Sequence, residues 1–321
     1  MFSKKKKNIL YIVVPCYNEE EVLPITIEKI DNKLTSLIKK NKISKDSKVM
    51  FVNDGSKDKT WDMIIDISKH NKHFTGLSLS RNRGHQNALL AGLMRARELA
   101  DIIISMDADL QDDINAIDEM IEKYYQGYDI VYGVRNSRKT DTFFKRTTAQ
   151  MFYKLMNAMG AECTYNHADY RLTTKRVLDA LSDYKEVNLF LRGLFHCVGF
   201  SSTVVYYKRK KRVAGESKYP LKKMLGLAWN GITSFSIKPL RLIFSIGLLV
   251  LLTSLIIMIY SLIRKFTGNT VDGWTFLSIS IWFIGGVQTT CIGILGEYVG
   301  KIYEEAKGRP RYIIAEDLTR K

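Results

Sequence analysis

Short apolar runs alternate with longer amphipathic segments over the first 134 residues of the chain. The apolar runs predict five β-strands, at 9–14, 49–52, 76–79, 102–106 and 130–132. The segments between them carry apolar residues at helical spacing and predict four helices, at 20–40, 58–70, 84–99 and 113–126. This succession of strand, helix and strand favours an α/β fold with a mostly parallel sheet and helices on both faces.

Two long runs near the C-terminus contain no charged side chain, one at 242–263 and the other at 273–296. As a helix, each run of about 22 to 24 residues is roughly 33 to 36 Å long, enough to cross a hydrocarbon core of about 30 Å. The pattern therefore predicts two transmembrane helices, at about 240–263 and 274–297. A pair of buried core helices is the alternative.

The basic residues of the chain indicate its orientation. The net charge is +16, and lysines and arginines precede the first run and follow the second. By the positive-inside bias both flanks lie in the cytoplasm, although Arg264 and Lys265 between the runs weaken this argument. We expect a multi-pass protein of the cell membrane, with its larger domain cytoplasmic and anionic lipid, not nucleic acid, as the partner of its basic surface.

Neither the N-terminus nor the cysteines change this picture. Lysines at 4–7 precede an apolar run, as in a secretory signal, but that run ends at Pro15 and is shorter than an h-region of about 7 to 15 residues. The four cysteines show no paired spacing. The sequence therefore predicts neither a zinc site nor a disulfide framework.

Three polar motifs follow predicted strands, at the edge where parallel α/β sheets bind ligands. In the first, Tyr17 offers a flat face for a base and Glu19 opens a helix. In the second, Asp54 can accept a hydrogen bond from the imide of a pyrimidine. In the third, Arg81 and Gly84 lie in a basic loop before a helix, a setting that suits a diphosphate. Ordinary turn and capping chemistry is the alternative for these motifs.

The fourth predicted strand ends in two acidic residues separated by one position. In extended backbone Asp107 and Asp109 leave the same side of the chain, so they can share one divalent cation, and Gln111 can add a neutral oxygen. Solvated loop residues or a helix cap are the alternative. No G-x-G-x-x-G motif follows the first strand and no G-x-x-x-x-G-K-[ST] motif occurs, so dinucleotide-binding and P-loop proteins are disfavoured.

Four motifs, at 14–19, 53–56, 81–84 and 107–111, occur together in this order and spacing. In this respect the sequence resembles the family 2 glycosyltransferases of GT-A fold. It is most similar to the membrane-anchored polyprenyl-phosphate sugar transferases, a group that includes dolichol-phosphate mannose synthase and bacterial bactoprenol glucosyltransferases. The resemblance implies an α/β, Rossmann-like GT-A domain in the cytosol, followed by a C-terminal hairpin of two transmembrane helices.

We expect four parts along the chain. The cytosolic GT-A domain extends over 1–218 and the two transmembrane helices lie within 238–300, followed by a cytosolic tail at 301–321. Residues 219–237 carry apolar positions at helical spacing opposite two lysines and predict an amphipathic helix in the lipid headgroups. Packing of that helix against the catalytic domain is the alternative.

The resemblance implies roles for the residues of the first four motifs. The nucleoside would be held by residues after the first two strands, Pro15, Tyr17, Glu19 and Asp54. The donor diphosphate would lie near Arg81 and Gly84. It would be bridged by Mg²⁺ or Mn²⁺ on the acidic motif, at Asp107, Asp109 and Gln111. The ion would neutralise charge on the departing nucleoside diphosphate.

Later residues are implied to meet the sugar and the acceptor. Asp169 and Arg171 flank a tyrosine where the family usually has phenylalanine, and a structural Asp–Arg pair is the alternative for them. Arg192 is a second candidate for phosphate. A mobile loop is implied to close over the substrates with Ser217 and Lys218 at phosphate. The expected catalytic residues are Asp109, Asp169, Arg171, Arg192 and Lys218. His85 is expected to be a supporting or surface residue, not a catalyst.

These expectations combine into one hypothesis. The protein transfers a sugar from a nucleotide sugar, with UDP-glucose favoured, to undecaprenyl phosphate or another polyprenyl phosphate. The transfer inverts the anomeric centre, uses a divalent metal and takes place at the cytosolic face of the membrane. The product is expected to be used in building the cell envelope. A phosphomonoester needs no general base, because its second pKa of about 6 leaves the oxygen ionised. The alternatives are a processive polysaccharide synthase, whose Gln-x-x-Arg-Trp element is absent, and a non-catalytic nucleotide-binding scaffold. Glycines of the second run suit helix packing, so we expect a homo-oligomer.

Overall fold

Eight strands form one mixed sheet in the computed structural model, which describes residues 7–136, 167–186, 189, 191–209, 238–267 and 273–320. The strands are β1 Leu10–Cys16, β2 Lys48–Asn53, β3 Phe74–Leu79, β4 Ile102–Ser105, β5 Ile130–Arg135, β6 His167–Thr174, β7 Ser202–Tyr207 and β8 Ile314–Asp317. The helices of the described residues are α1 Leu23–Lys39, α2 Thr60–His70, α3 His85–Leu99, α4 Ala116–Tyr125, α5 Lys175–Leu181, α6 Leu191–Cys197, α7 Lys238–Phe266 and α8 Trp274–Ala306.

The strand order is β7-β5-β6-β4-β1-β2-β3-β8. Strands β3, β2, β1 and β4 are parallel, β5 and β7 are parallel to each other, and β6 and β8 are antiparallel to the strands they pair with. In this register Cys16 lies opposite Asn53, and Asn53 lies opposite Ser78. The loops that follow β1, β2 and β3 therefore leave the sheet at a common edge.

Both faces of the central strands are covered by helices. Ile12 and Val14 belong to a buried cluster with side chains of α1, α2 and α4. Val13 points to the opposite face, where α3 packs so closely that a Cβ on Gly92 would lie 2.4 Å from Val13 Cγ1 and 2.6 Å from Val52 Cγ2. Since fully burying one such aliphatic side chain contributes about 1.5–3 kcal/mol, this packing helps to hold α3 against the sheet.

The five predicted strands and four predicted helices of the first 134 residues are all present, with ends shifted by a few positions.

The chain divides into two units. One comprises Met1–Tyr153, Glu162–Pro220 and Pro310–Lys321, and the other comprises Lys154–Ala161 and Leu221–Arg309. Within the range expected to be the tail, 301–321, α8 continues to Ala306 and residues 314–317 form the outer strand β8. Pairing of backbone groups with β3 stabilises β8, and its short, charged sequence gave no strand pattern.

Helices α7 and α8 contain the two predicted spans at about 240–263 and 274–297. By length and hydropathy, no helix in the described part of the chain qualifies as a membrane span. The transmembrane hairpin therefore stays a prediction. The amphipathic helix expected at 219–237 and the expected phosphate ligands Ser217 and Lys218 lie outside the described residues.

Candidate active site

Asp54 connects the end of β2 to the loop at 80–84. Its buried carboxylate accepts the backbone N–H groups of Arg83 at 2.7 Å and of Gly84 at 2.9 Å. Burial raises the pKa of Asp54, and these two hydrogen bonds offset part of that rise. The carboxylate predicted to bind a base thus also holds the basic loop in place.

Gly55 lets the same loop come close to β2. Its backbone φ of +64° is one that residues other than glycine rarely adopt. A Cβ at this position would lie 2.5 Å from the backbone nitrogen of Asn82 and 2.6 Å from the carbonyl carbon of Arg81. The close approach therefore requires glycine, and it places the predicted diphosphate residues beside the β2 turn.

The turns after β1 and β2 are joined by hydrogen bonds. The N–H of Asn18 donates to Ser56 Oγ at 3.0 Å, and the N–H of Glu19 donates to Thr60 Oγ1 at 2.9 Å. Pro15 is buried in β1, whereas Tyr17 is 43% exposed. Of the residues predicted to hold a nucleoside, Tyr17 is the one that presents an open ring face at this edge.

The acidic motif forms a tight turn directly after β4. Leu110 has a φ of +53° while its side chain is buried, and the N–H of Gln111 donates to Asp109 Oδ1 at 3.1 Å. A left-handed non-glycine residue costs on the order of 1–3 kcal/mol, so burial of Leu110 contributes to holding the turn. Oδ1 of Asp107 is buried and accepts no hydrogen bond from the described residues, and burial raises the pKa of Asp107.

His85, the first residue of α3, joins the acidic motif to β6. Its Nε2 lies 3.6 Å from Asp107 Oδ1 and 3.6 Å from Asp169 Oδ2. Burial lowers the pKa of His85, but the carboxylates of Asp169 and Asp107 outweigh it and raise the pKa to about 9. His85 is therefore a cation between two acids, a position that its place in the sequence did not reveal.

Asp169 is the centre of a cluster of positive charges. Nη2 of Arg171 donates to it at 2.7 Å, and Arg192 donates from Nε at 3.2 Å and from Nη2 at 3.1 Å. Burial raises the pKa of Asp169, but Arg192, His85 and Arg171 outweigh burial and hold the pKa well below its usual range. The structure thus brings together three predicted catalytic residues, Asp169, Arg171 and Arg192.

The two arginines differ in what they can reach. Arg171 is fully buried, with its guanidinium 4.3 Å from the centre of the Phe195 ring. About a third of the Arg192 side chain is exposed. This geometry favours the alternative of a structural Asp–Arg pair for Arg171, whereas Arg192 binds the same carboxylate from a partly exposed position.

A second polar cluster, not predicted, lies beyond the acidic motif. Tyr207 at the end of β7 donates to the buried carboxylate of Asp112, and Arg135 Nη2 lies 3.6 Å from the same oxygen. Burial, together with the charge of Asp107, raises the pKa of Asp112 to about 6. Arg209 donates to Gln111 Oε1. The signal that could have found this cluster was the unbroken polar run after Leu110, in which Asp112 follows directly on Gln111.

The acidic motif has the donors that a divalent cation prefers. Asp107 and Asp109 supply carboxylate oxygens from one turn, and the Asp107 oxygen is buried without a hydrogen bond, whereas the amide oxygen of Gln111 already accepts a hydrogen bond from Arg209. Among the described residues no three His, Cys, Asp or Glu side chains form a metal-binding group. The residues present therefore fit an ion that takes few protein ligands and completes its shell with water and substrate phosphates.

Comparison with known proteins identifies the family. The model of glycosyl transferase family 2 matches residues 11–182. The chain belongs to this family. A second model, described as the GtrB C-terminal hairpin, matches residues 238–302, which cover α7 and most of α8.

Relatives of this family-2 chain match almost its full length. An uncharacterised glycosyltransferase of Bacillus subtilis, YkoT, is 53% identical over 98% of this chain and 94% of its own. A bactoprenol glucosyl transferase of Shigella phage SfV is 41% identical over 95% of this chain and 98% of its own. A crystal structure of glucosyl-3-phosphoglycerate synthase from Mycobacterium tuberculosis is 14% identical, with a TM-score of 0.45, over 70% of this chain and 78% of that one.

These matches confirm two predictions made from the motifs. The protein is a family 2 glycosyltransferase related to the polyprenyl-phosphate members, and its α/β domain is GT-A-like.

Proposed function

We propose that this protein transfers a sugar from a nucleotide sugar to a polyprenyl phosphate, such as undecaprenyl phosphate. One observation carries the proposal, the 3.6 Å contact between His85 Nε2 and Asp107 Oδ1. His85 directly follows the 80–84 loop, so this contact brings a loop suited to a diphosphate to an acidic motif suited to a divalent cation. That combination fits a donor whose leaving group is a nucleoside diphosphate.

UDP-glucose is the donor that we propose. The exposed ring of Tyr17 suits stacking against a base, and the glucosyl group is the one named for the relative from Shigella phage SfV. Mg²⁺ or Mn²⁺ would be held by Asp107, Asp109 and Gln111. A bound ion would neutralise charge on the leaving diphosphate without any proton transfer.

The acceptor attacks the anomeric carbon without help from a general base. A phosphomonoester is largely ionised at pH 7, so positioning and charge carry the rate. Arg192, Arg171 and His85 surround the carboxylate of Asp169, and His85 also contacts Asp107, so the site holds three cationic side chains beside the acidic motif. We propose that the partly exposed side chain of Arg192, together with Lys218, holds the acceptor phosphate in line with the bond that breaks, which inverts the anomeric centre.

Membrane association follows from the same proposal, because the acceptor is a lipid. The match to the GtrB hairpin supports it, as do large apolar side chains that are well exposed on α7 and α8, among them Phe244 at 72%, Phe283 at 65% and Ile292 at 67%. An apolar surface of this kind needs a covering partner. We propose that α7 and α8 form a two-span anchor in the cell membrane, with the catalytic domain cytoplasmic and the chain assembled as a homo-oligomer.

The test uses the purified full-length protein with undecaprenyl phosphate, Mg²⁺ or Mn²⁺, and a panel of labelled nucleotide sugars. We expect a chloroform-soluble product with UDP-glucose that disappears on addition of EDTA and returns with excess metal. Label in a water-soluble polymer would favour a processive synthase instead. No product with any donor would contradict the proposal and favour a nucleotide-binding scaffold.

A further inference from the structure

The last strand of the chain lies directly beside the 80–84 loop. β8 pairs antiparallel with β3, with Ser78 opposite Glu316 and Leu79 opposite Ile314. The pairing continues past the end of β3, because the N–H of Ser80 donates to the carbonyl of Ile313 at 2.9 Å. The first residue of the loop is therefore hydrogen-bonded to a segment more than 230 positions further along the chain.

Side chains anchor β8 to two helices as well as to β3. Trp61 of α2 donates from Nε1 to Glu316 Oε1 at 3.0 Å. Arg95 of α3 lies 3.0 Å from Asp317 Oδ2 through its Nε, which also donates to Thr319 Oγ1 at 2.9 Å. Asp317 in turn accepts the N–H of Thr319 at 2.9 Å, which closes the final turn. The segment from Ile313 to Thr319 is thus fixed to α2 and to α3, the helix that begins directly after the loop.

The opposite side of the loop is held by β2. Asp54 binds the N–H groups of Arg83 and Gly84, and Gly55 lies against the backbone of Arg81 and Asn82. The 80–84 loop therefore lies between two supports, the β2 turn and the C-terminal strand. Loss of either support leaves the loop fixed at one end only.

We infer that the C-terminal segment positions the 80–84 loop for the nucleotide sugar, so that the donor site depends on residues that follow α8. The inference rests on the proposed function, in which this loop meets the donor diphosphate. β8 has a further consequence for the sheet, since without it the wholly buried strand β3 would become an open edge. The role is one of positioning, because Glu316 and Asp317 bind protein groups and touch no reacting atom.

The test combines Glu316→Ala with Asp317→Ala in the full-length protein. Its matched control is Glu98→Ala, because Glu98 is another carboxylate paired with Arg95, and among the described residues no hydrogen bond or ion pair joins its side chain to β8. We expect the KM for the nucleotide sugar to rise about threefold or more in the double variant, with kcat and the acceptor KM within about twofold. We also expect faster amide hydrogen exchange at 80–84. The control variant should change neither the KM for the nucleotide sugar nor amide exchange at 80–84.

If the double variant does not fold, the same measurements are made on Asp317→Asn, since this change keeps the shape of the side chain and removes its charge. A donor KM within about twofold of the unmodified protein, or equal rises in both KM values, would overturn the inference. Amide exchange at 80–84 is measured without substrate. If the unmodified protein transferred no sugar, the proposed function would fail, while unchanged exchange in the variants would still refute the positioning role.

Discussion

Nη2 of Arg171 donates a 2.7 Å hydrogen bond to Oδ1 of Asp169, and both side chains are buried. They are two positions apart on β6 and therefore lie on the same face of the strand. The pair is also in contact with Arg192, which is partly exposed. One carboxylate thus connects a buried structural cation to a cation that a substrate can reach.

We predict that Arg171→Ala destabilises the protein far more than Arg192→Ala. The change deletes a fully buried side chain together with one of the cations that compensate the buried Asp169, and we expect it to cost about 3 kcal/mol or more. Arg192 is partly solvated, so its removal should affect stability less and instead raise the acceptor KM. Thermal unfolding and steady-state kinetics of both variants separate the two roles. Equal stability losses, or an intact acceptor KM in Arg192→Ala, would count against this assignment.

We predict that Asp107→Asn and Asp109→Asn each lower kcat about 100-fold or more while the protein stays folded. Both changes remove a negative ligand from the proposed cation site. Asp113→Asn is the control in the same loop, with kcat expected within about twofold, because Asp113 caps the N–H of Asn115 and has no part in the proposed site. Activity is measured as lipid-linked label and folding as the melting temperature. Full activity in both acidic-motif variants would refute the metal assignment.

The central strands were predictable because they are continuous apolar runs. β1 and β4 are buried along their whole length, and burial on both faces produces the pattern that sequence reading detects. β6 was missed for the opposite reason. Its charges at Asp169 and Arg171 neutralise each other inside the sheet, a pairing that cannot be seen before the fold is known.

The site was predictable as a set of strand ends, but not as a set of contacts. Asp54, Asp107 and Asp109 were found because polar residues directly follow apolar strands. The link between His85 and Asp107 depends on how closely α3 packs on the sheet, which Gly92 permits. The contribution of β8 depends on backbone hydrogen bonds to β3, which leave no side-chain pattern.

Asp129 provides a prediction about stability and pH. Its carboxylate accepts hydrogen bonds from Arg176 at 2.5 Å and from Ser201 at 2.7 Å, and joins β5 to the elements beside it. Burial raises the pKa of Asp129, but Arg176 and the hydroxyl donors outweigh burial and lower it. The pKa of Asp129 is thus lower in the folded state than its ordinary value of 3.8. Ionisation of this carboxylate therefore stabilises the folded state at pH values above 3.8, and this stabilisation is lost as the pH falls below 3.8 and through the lower pKa of the folded state.

We therefore expect Asp129→Asn to lower the free energy of unfolding by about 2 kcal/mol at pH 7. This difference should become progressively smaller as the pH falls below 3.8, the ordinary pKa of the aspartate side chain. Asp179→Asn is the control, because the Asp179 carboxylate is about half exposed and pairs with Arg97 at 3.6 Å. Surface pairs of this kind contribute little, so the control should change stability by less than about 1 kcal/mol. Melting temperatures across a pH series measure both. A difference that persists unchanged at the lowest pH would contradict the linkage.

Gly55→Ala should weaken donor binding. The new Cβ would meet the backbone of Asn82 and Arg81 at 2.5–2.6 Å, so the 80–84 loop must move away from β2. Gly199→Ala is the matched control, since Gly199 has a similar φ of +71° but open space around the Cβ position. Both variants should lose stability through left-handed backbone strain, on the order of 1 kcal/mol. Only Gly55→Ala should raise the KM for the nucleotide sugar, by about threefold or more, because only there is the strain transmitted to the loop. If both variants raised that KM equally, general destabilisation and not loop position would explain the effect.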